Sequence, residues 1–300
     1  MTMPNLDKTN PQHSQQPSQQ QCADLLNQSD DFQVLSKVNP TQVFNTPTPE
    51  NCHRVCVIDT ETTGLDTDVC EVIEIGYQII EFDSLGNFYR VISSQNFLNE
   101  PKGEISAEVT RVTGITLADV KGHAIPWETV AEEISQVQLL VAHNATFDRP
   151  VLERYDPVFV DKIWGCSVAQ IDWQTLAHVS SRSQEFLCWK VGQFFYGAHR
   201  ALDDVQALCQ LLTLPISEEK KPTFSYLLQA IRHSKSLIKA TGAPFSIKDE
   251  LRSRGYRWNP EDRVWQQVID DANLQDEQAW LSQHKTPNPT IIKLKATDSF

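Results

Sequence analysis

No run of about 18 uninterrupted apolar residues occurs in this 300-residue chain, so no part of it is read as a membrane-spanning helix. No basic stretch followed by an apolar one opens it, so its start is not read as a secretory signal. There is no CxxC pair. The seven cysteines (Cys22, Cys52, Cys56, Cys70, Cys166, Cys188, Cys209) are odd in number and widely scattered, which suggests neither a zinc site nor a disulfide framework. Buried thiols in a reducing cytoplasm are the expectation, and with them a soluble cytoplasmic protein without a membrane partner. No internal repeat is visible. Basic charge is also short, at 26 Lys and Arg against 39 Asp and Glu, or −13 overall. The deficit is uneven: −3 over residues 1–50, −14 over 51–219 and +4 over 220–300. The acidic middle is either a solvated surface or a store of carboxylates for divalent cations.

What is present falls into four parts. Residues 1–48 are rich in Gln, Ser, Pro and Asn and poor in apolar residues, and are expected to be a disordered tail. Residues 49–216 read as an α/β domain. Arg54–Asp59, with Val55-Cys56-Val57-Ile58, is expected to be a strand buried on both faces. Glu71–Phe82 and Tyr89–Leu98 follow as strands around the turn-like segment 83–87. Helices are expected near Ser106–Val112, Pro126–Gln136, Thr146–Tyr155, Glu185–Tyr196 and Ala201–Leu214, and strands at Gln138–His143 and Ile163–Ser167. A meander followed by alternating strands and helices makes a mixed sheet flanked by helices. Residues 217–243 read as a helical linker (Thr223–Thr241), and 244–300 as a small α+β module. In that module the pattern predicts helices at Lys248–Arg254 and Asp276–Gln283 around a hairpin of Tyr256–Trp258 and Val264–Val268.

Three motifs carry chemistry. Asp59-Thr60-Glu61-Thr62-Thr63-Gly64 ends a buried strand, and side chains two apart on a strand point the same way, so Asp59 and Glu61 present paired carboxylates. Burying the pair without partners is costly, and a divalent cation removes the cost. Alone, the motif is equally an acidic loop. In His143-Asn144-Ala145-Thr146-Phe147-Asp148 a strand feeds a helix on which Asp148, Val151, Leu152 and Tyr155 share the inward stripe. A carboxylate complementing the helix dipole is the plain reading of Asp148 by itself. In His199-Arg200-Ala201-Leu202-Asp203-Asp204, Asp204 shares a face with Ala201, Leu208 and Leu211, whereas Asp203 is the more exposed. Three inward carboxylate clusters at element ends suit two magnesium ions, with manganese able to substitute, and such a pair stabilises the attacking and leaving oxygens of phosphodiester cleavage. His199 has the chemistry to take a proton from the attacking water.

Residues 54–214 resemble the DnaQ-like exonucleases of the DEDDh group, which include the epsilon proofreading subunit of bacterial replicase, RNase T and oligoribonuclease. IDTETTGL (58–65), HNATFD (143–148) and HRALDD (199–204) match that group's three motifs, and His199 stands five positions before Asp204 as the group's histidine does. The resemblance implies an RNase H-like fold, with Asp59, Glu61, Asp148 and Asp204 as metal ligands and His199 as general base. It also implies that Thr62, Gly64 and Leu65 lie along the terminal nucleotide, Leu65 against a base, and that Asn144 touches substrate. The plain readings are Gly64 as a turn former and Leu65 as core.

The function expected is metal-dependent 3′→5′ hydrolysis of single-stranded or frayed DNA or RNA ends, DNA slightly favoured, releasing nucleoside 5′-monophosphates. Proofreading, repair and RNA trimming remain open, with a polymerase or repair protein as partner. A second reading is a catalytically silent nucleic-acid-binding or polymerase-associated protein on an exonuclease fold; such a protein would be expected to lack a carboxylate or the histidine, and none is missing. In the C-terminal module, Arg252, Arg254, Tyr256, Arg257, Trp258, Arg263 and Trp265 interleave basic and aromatic residues, suited either to a nucleic-acid backbone and bases or to a small core. The stretch RGYRWNPEDRVW (254–265) resembles small domains of unassigned role attached to nucleic-acid enzymes.

Overall fold

The structure is a computed structural model describing residues 18–295 and 297. Of these, residues 18–36 fall in one compact unit and those from Lys37 on in another. Residues 1–17 of the expected tail lie outside the described residues. Residues 18–48 of that stretch carry local structure. Gln19–Asn27 is a helix opened by a reciprocal cap, in which Ser18 Oγ accepts from Gln21 N and the Gln21 side chain accepts from Ser18 N. None of its residues is buried. In the second unit, Val38 and Phe44 pack on the main core. Phe44 N donates to Tyr89 O at 2.6 Å, and the Phe44 ring meets Phe88 edge-on at 5.6 Å. These two apolar side chains are enough to tie a mostly polar stretch to the edge of a sheet.

Five strands form that sheet: β1 (His53–Thr62), β2 (Val72–Phe82), β3 (Phe88–Leu98), β4 (Leu139–Ala142) and β5 (Ile163–Cys166), in the order β3-β2-β1-β4-β5. The first three pair antiparallel and β4 and β5 add on in parallel. Helices α1 (Ala107–Thr113), α2 (Trp127–Ser135), α3 (Ala145–Glu153), α4 (Ala201–Thr213) and α5 (Thr223–Arg232) accompany it. This is the RNase H-like mixed sheet flanked by helices. Every residue of β2 is buried because the strand has neighbours on both sides and cover on both faces.

The period of two along β1 divides the core. Val55 and Val57 belong to the cluster that contains the apolar stripe of α4, with Val205, Leu208, Leu211 and Leu212. Cys56 and Ile58 belong to the opposite cluster, with Val130 and Ile134 of α2 and Val151 and Leu152 of α3. Past Ile58 the same alternation sends Asp59 and Glu61 toward α4 and Thr60 toward α3.

Close docking of α4 depends on Gly76, the β2 residue paired with Asp59. A Cβ at Gly76 would sit 2.4 Å from Leu202 N and 2.5 Å from the Ala201 carbonyl carbon. Gly76→Ala must therefore push the helix off the sheet. A loss of about 3 kcal/mol is expected, together with most of the activity, and chemical denaturation measures the first.

Two predicted helices are corrected. Glu185–Tyr196 is not one helix: Gln184–Leu187 is α-helical, Cys188–Gly192 is a wider π turn, and Gln193 ends it in the left-handed region at φ 54°. A Cβ on Gly192 would lie 2.3 Å from the Phe194 ring, so the chain reverses there and Tyr196 leaves the helical path. The helix expected over Thr223–Thr241 ends at Arg232, and Lys235–Lys239 is a strand, β6. Burial there alternates, with Ser236 and Ile238 inward, which is a period of two. β6 is an inner strand of a second sheet with β7 (Arg257–Asn259), β8 (Val264–Asp270) and β9 (Thr290–Lys293), in the order β9-β6-β8-β7. Lys235–Lys239 thus belongs to the sheet of the C-terminal module. Helices α6 (Lys248–Ser253) and α7 (Leu274–Gln283) complete it, over a core of Ile238, Ala240, Ile247, Leu251, Tyr256 and Leu281. Among the described residues no helix is long and apolar enough to cross a membrane.

Candidate active site

At the end of β1, one carboxylate oxygen from each of Asp59, Glu61 and Asp204 lies within 4.8 Å of the others. The strand alternation explains this set: Asp59 and Glu61 point to the α4 face, where Asp204 waits one turn into the helix. Asp148 arrives from the other face. Its Oδ1 accepts from Thr60 N at 3.1 Å and Thr60 Oγ1 at 2.8 Å, and the residue is 3% exposed. All four carboxylates nevertheless line one cleft of about 350 Å³, with His143, Asn144, Phe147, Tyr196 and His199.

Packing four carboxylates here raises their proton affinity. Burial, then the charges of Asp148, Asp204 and Glu61, push the Asp59 carboxyl well above the ordinary range. Burial and the charges of Asp204 and Glu74 lift Glu61 to about 8. Burial lifts Asp148 to about 7 against the two bonds from Thr60. It lifts Asp204 to about 6 against bonds from Tyr196 and the Arg200 amide. A pocket that makes carboxylates hold protons near neutrality is one that a divalent cation relieves. The oxygen donors and their spacing fit a hard divalent cation.

Asp204 is held from several sides. Tyr196 Oη donates to its Oδ1 at 2.9 Å and Arg200 N to its Oδ2 at 3.1 Å. Gln184 Nε2 donates to its main-chain oxygen at 2.8 Å and to Tyr196 Oη at 3.0 Å. Asp203, one residue earlier, is exposed. Asp203→Asn is expected to change turnover by no more than roughly twofold and Asp204→Asn to lower it at least a hundredfold, a difference read in parallel rate assays. Equal losses would place both residues in the site.

Glu74, wholly buried on β2 and cross-strand to Glu61, was not anticipated. Burial alone would raise its carboxyl, but bonds from Arg200, Asn96 and Ala201 N bring it below its ordinary value. Arg200 Nη2 reaches it at 2.7 Å and Ala201 N at 3.0 Å, so this ion pair clamps the start of α4 and holds His199 and Asp204 at the cleft. The available signal was a glutamate inside a strand otherwise read as buried, which has to find a partner. Tyr196 and Gln184 gave no such signal, because their part of the chain looked like continuous helix.

His199 is exposed and in the left-handed region at φ 66°, a conformation uncommon for a non-glycine residue. It lines both the carboxylate cleft and an adjoining groove of about 520 Å³. That groove holds three of the four predicted substrate residues, Thr62, Gly64 and Leu65, with Val109, Val112 and Phe147. Thr62 Oγ1 donates to Gly64 O at 2.6 Å, so the hydroxyl shapes the loop. A Cβ on Gly64 would meet nothing within 4 Å, and no positive φ demands glycine, so the turn-former reading of Gly64 has no support. Leu65 is 89% exposed and is not core. Asn144 stands apart in the carboxylate cleft, its Oδ1 accepting from Thr146 Oγ1 at 2.6 Å. His143 is committed: Nδ1 lies 2.6 Å from Ser167 Oγ and Nε2 2.8 Å from Arg182 O, and burial lowers its pKa to about 4. A carbonyl can only accept, so Nε2 carries the proton and the neutral ring ties down the loop before Gln184. A larger depression of about 970 Å³ surrounds His53 and Arg54 at the start of β1 and includes none of the predicted site residues.

The fold is a helix-flanked mixed sheet with a carboxylate cluster at the end of its central strand. The model of the exonuclease family matches residues 56–212, and the chain belongs to that family. It is 29% identical over 178 residues to a PolC-type DNA polymerase III of Thermotoga maritima, a match covering 55% of this chain and 12% of that one. The chain thus spans about an eighth of the length of that relative. With DNA polymerase III subunit epsilon of Treponema pallidum it shares 29% identity over 196 residues, 59% of this chain and 87% of the other. Among solved structures, exonuclease X in complex with 5′-overhanging duplex DNA aligns with TM-score 0.41 and 24% identity over 57% of this chain and 99% of that one. Exonuclease I aligns with TM-score 0.49 and 16% identity over 82% and 63%.

Proposed function

We propose that the chain is a two-metal, magnesium-dependent 3′→5′ exonuclease that hydrolyses the last phosphodiester of single-stranded or frayed ends, DNA in preference to RNA, and releases nucleoside 5′-monophosphates. The observation that carries this reading is the convergence of Asp59, Glu61 and Asp204 within 4.8 Å, in a cleft shared with Asp148 and His199. Manganese is expected to substitute for magnesium.

Asp59, Glu61, Asp148 and Asp204 would hold the metal. When bound, the ions supply positive charge to the scissile phosphate and make water a better nucleophile at neutral pH. The chain's own groups do the rest. Leu65, exposed beside the cleft, packs against the terminal base, and the loop tied by Thr62 and Gly64 runs along its sugar. Absence of a Cβ at Gly64 lets the strand approach the backbone closely. Asn144 offers an amide on the other side. His199 takes the proton of the attacking water as its oxygen bonds to phosphorus and the bond to the preceding nucleotide's 3′ oxygen breaks. Glu74 and Arg200 fix the histidine's position through the start of α4. The epsilon-subunit and PolC relatives support a replication setting, in which the chain would serve proofreading or repair beside a polymerase.

Oligomers of DNA and RNA, labelled at the 3′ or the 5′ end and incubated with and without magnesium, test this. A ladder that shortens from the 3′ end only with metal is expected. Release of label from the 5′ end first, or the same ladder in chelator, overturns it, and binding without any product favours the catalytically silent reading.

A further inference from the structure

We propose that a ridge of Phe245, Lys248, Arg252, Trp265 and Trp258 on the C-terminal module is a stacking platform for single-stranded nucleic acid. It would hold a stretch of the strand other than the terminal nucleotide, and it rests on the exonuclease reading for the existence of that strand. Lys248 and Arg252 lie one turn apart on α6, on the same side of the helix. Lys248 Nζ stands 4.3 Å from the centre of the Phe245 ring. Arg252 Cζ stands 5.8 Å from the centre of Trp265. Trp265 pairs across the strands with Trp258, and their rings meet at 5.8 Å and 64°. Two cations therefore lie between one ring, Phe245, and a pair of rings, Trp265 and Trp258.

Only part of this ridge serves the module's core. Trp265 packs against that core, but Phe245 is 80% exposed and Trp258 49% exposed. The cations are equally uncommitted. Among the described residues Lys248 makes no ion pair, and Arg252 reaches only Asp249, at 3.9 Å between two exposed side chains, a weak pairing. Neighbouring cations differ: Arg254 is held by Glu277 at 2.9 Å and Lys239 by Asp262 at 2.6 Å.

Charge complementarity selects the occupant. Residues 51–219 carry −14 and repel a polyanion wherever no metal intervenes, whereas residues 220–300 carry +4. A single strand supplies phosphates for the two cations and a π face on every base for the rings, without requiring a sequence. An acidic peptide would satisfy the cations and leave the rings exposed.

Full-length protein in chelator, where no cleavage occurs, is titrated against a labelled thirty-residue deoxythymidine oligomer and read by anisotropy across a salt series. Phe245→Ala with Trp258→Ala is expected to weaken binding about fivefold or more for each ring removed. Lys248→Glu with Arg252→Glu should lower the slope of log affinity against log salt by about 0.7 for each phosphate that is no longer neutralised. Cleavage of a dinucleotide in magnesium should be unchanged in every variant. Wild-type affinity and slope in both double variants overturn the platform, as does wild-type protein that binds no oligomer. If a double variant melts early, Phe245→Ala alone decides, since that ring has little packing to lose. Binding is measured without metal, so failure of the wild type to shorten DNA in magnesium would sink the exonuclease reading and still leave the anisotropy to judge the ridge.

Discussion

Glu61→Gln is expected to lower turnover on a single-stranded oligomer by roughly three orders of magnitude, or about 4 kcal/mol of transition-state stabilisation, and yet to raise the melting temperature of the metal-free protein. The two effects share one cause. Glu61 must either carry a negative charge beside Asp204 and Glu74 or take up a proton to avoid it, and its carboxyl holds that proton up to about pH 8. Glutamine keeps the shape and removes the charge, so the metal-free fold is relieved while the metal loses a ligand. Asp59→Ala follows the same argument. Asp204→Ala does not follow it fully: the activity falls as far, but Tyr196 and the Arg200 amide lose their acceptor, which offsets the relief of repulsion. Melting curves in chelator and single-turnover rates in magnesium measure the two sides. A lowered melting point together with retained rate for Glu61→Gln would make this carboxylate structural.

Metal and pH are expected to be linked with a definite sign. Glu61, Asp148 and Asp204 have folded-state pKa values of about 8, 7 and 6, all above those of ordinary carboxylates near about 4. The folded chain therefore binds protons more tightly than the unfolded one. Its stability is fullest below the unfolded values and is lost as pH rises through the folded ones. His143 works the other way, because its lowered value of about 4 makes acid unfavourable up to its unfolded value of about 6.5. The window in which the carboxylates act alone is pH 6.5 to 8.5. There the metal-free protein should lose stability, by a total of a few kcal/mol. Added magnesium replaces the protons, so the rise in melting temperature it causes should be several degrees larger at pH 8.5 than at pH 6.5. A metal-induced rise that is the same at both pH values would mean that the ion does not bind at these carboxylates.

Much of the site was legible because its chemistry is local. Asp59 and Glu61 are two apart on a strand whose apolar core is visible in Val55 to Ile58, and Asp204 is one helical turn from Leu208 and two from Leu211. A period of two or of 3.6 assigns such residues to a face without knowledge of what lies opposite. The same rule fails at Lys235–Lys239, where the residues buried are Ser236 and Ile238 and the sequence itself does not alternate in polarity, and the helical signal of Thr223–Arg232 ran on into it unbroken by glycine or proline. The bend at Gly192–Gln193 fell inside a segment read as one helix despite its glycine, and Tyr196 was missed with it.

From the sequence alone come the mixed sheet with its flanking helices, the three acidic motifs and the side of its element on which each carboxylate stands, because each is set by residues within a turn or a strand of one another. Only the tertiary structure decided that Asp148 comes from the opposite face and meets Thr60, that Gly76 lets α4 lie against β2, and that Glu74 clamps Arg200 across 126 residues of chain. Those interactions join segments far apart in sequence, and no local periodicity encodes which faces close on each other. They are settled by packing, which requires every buried charge to find a partner and every backbone to have room.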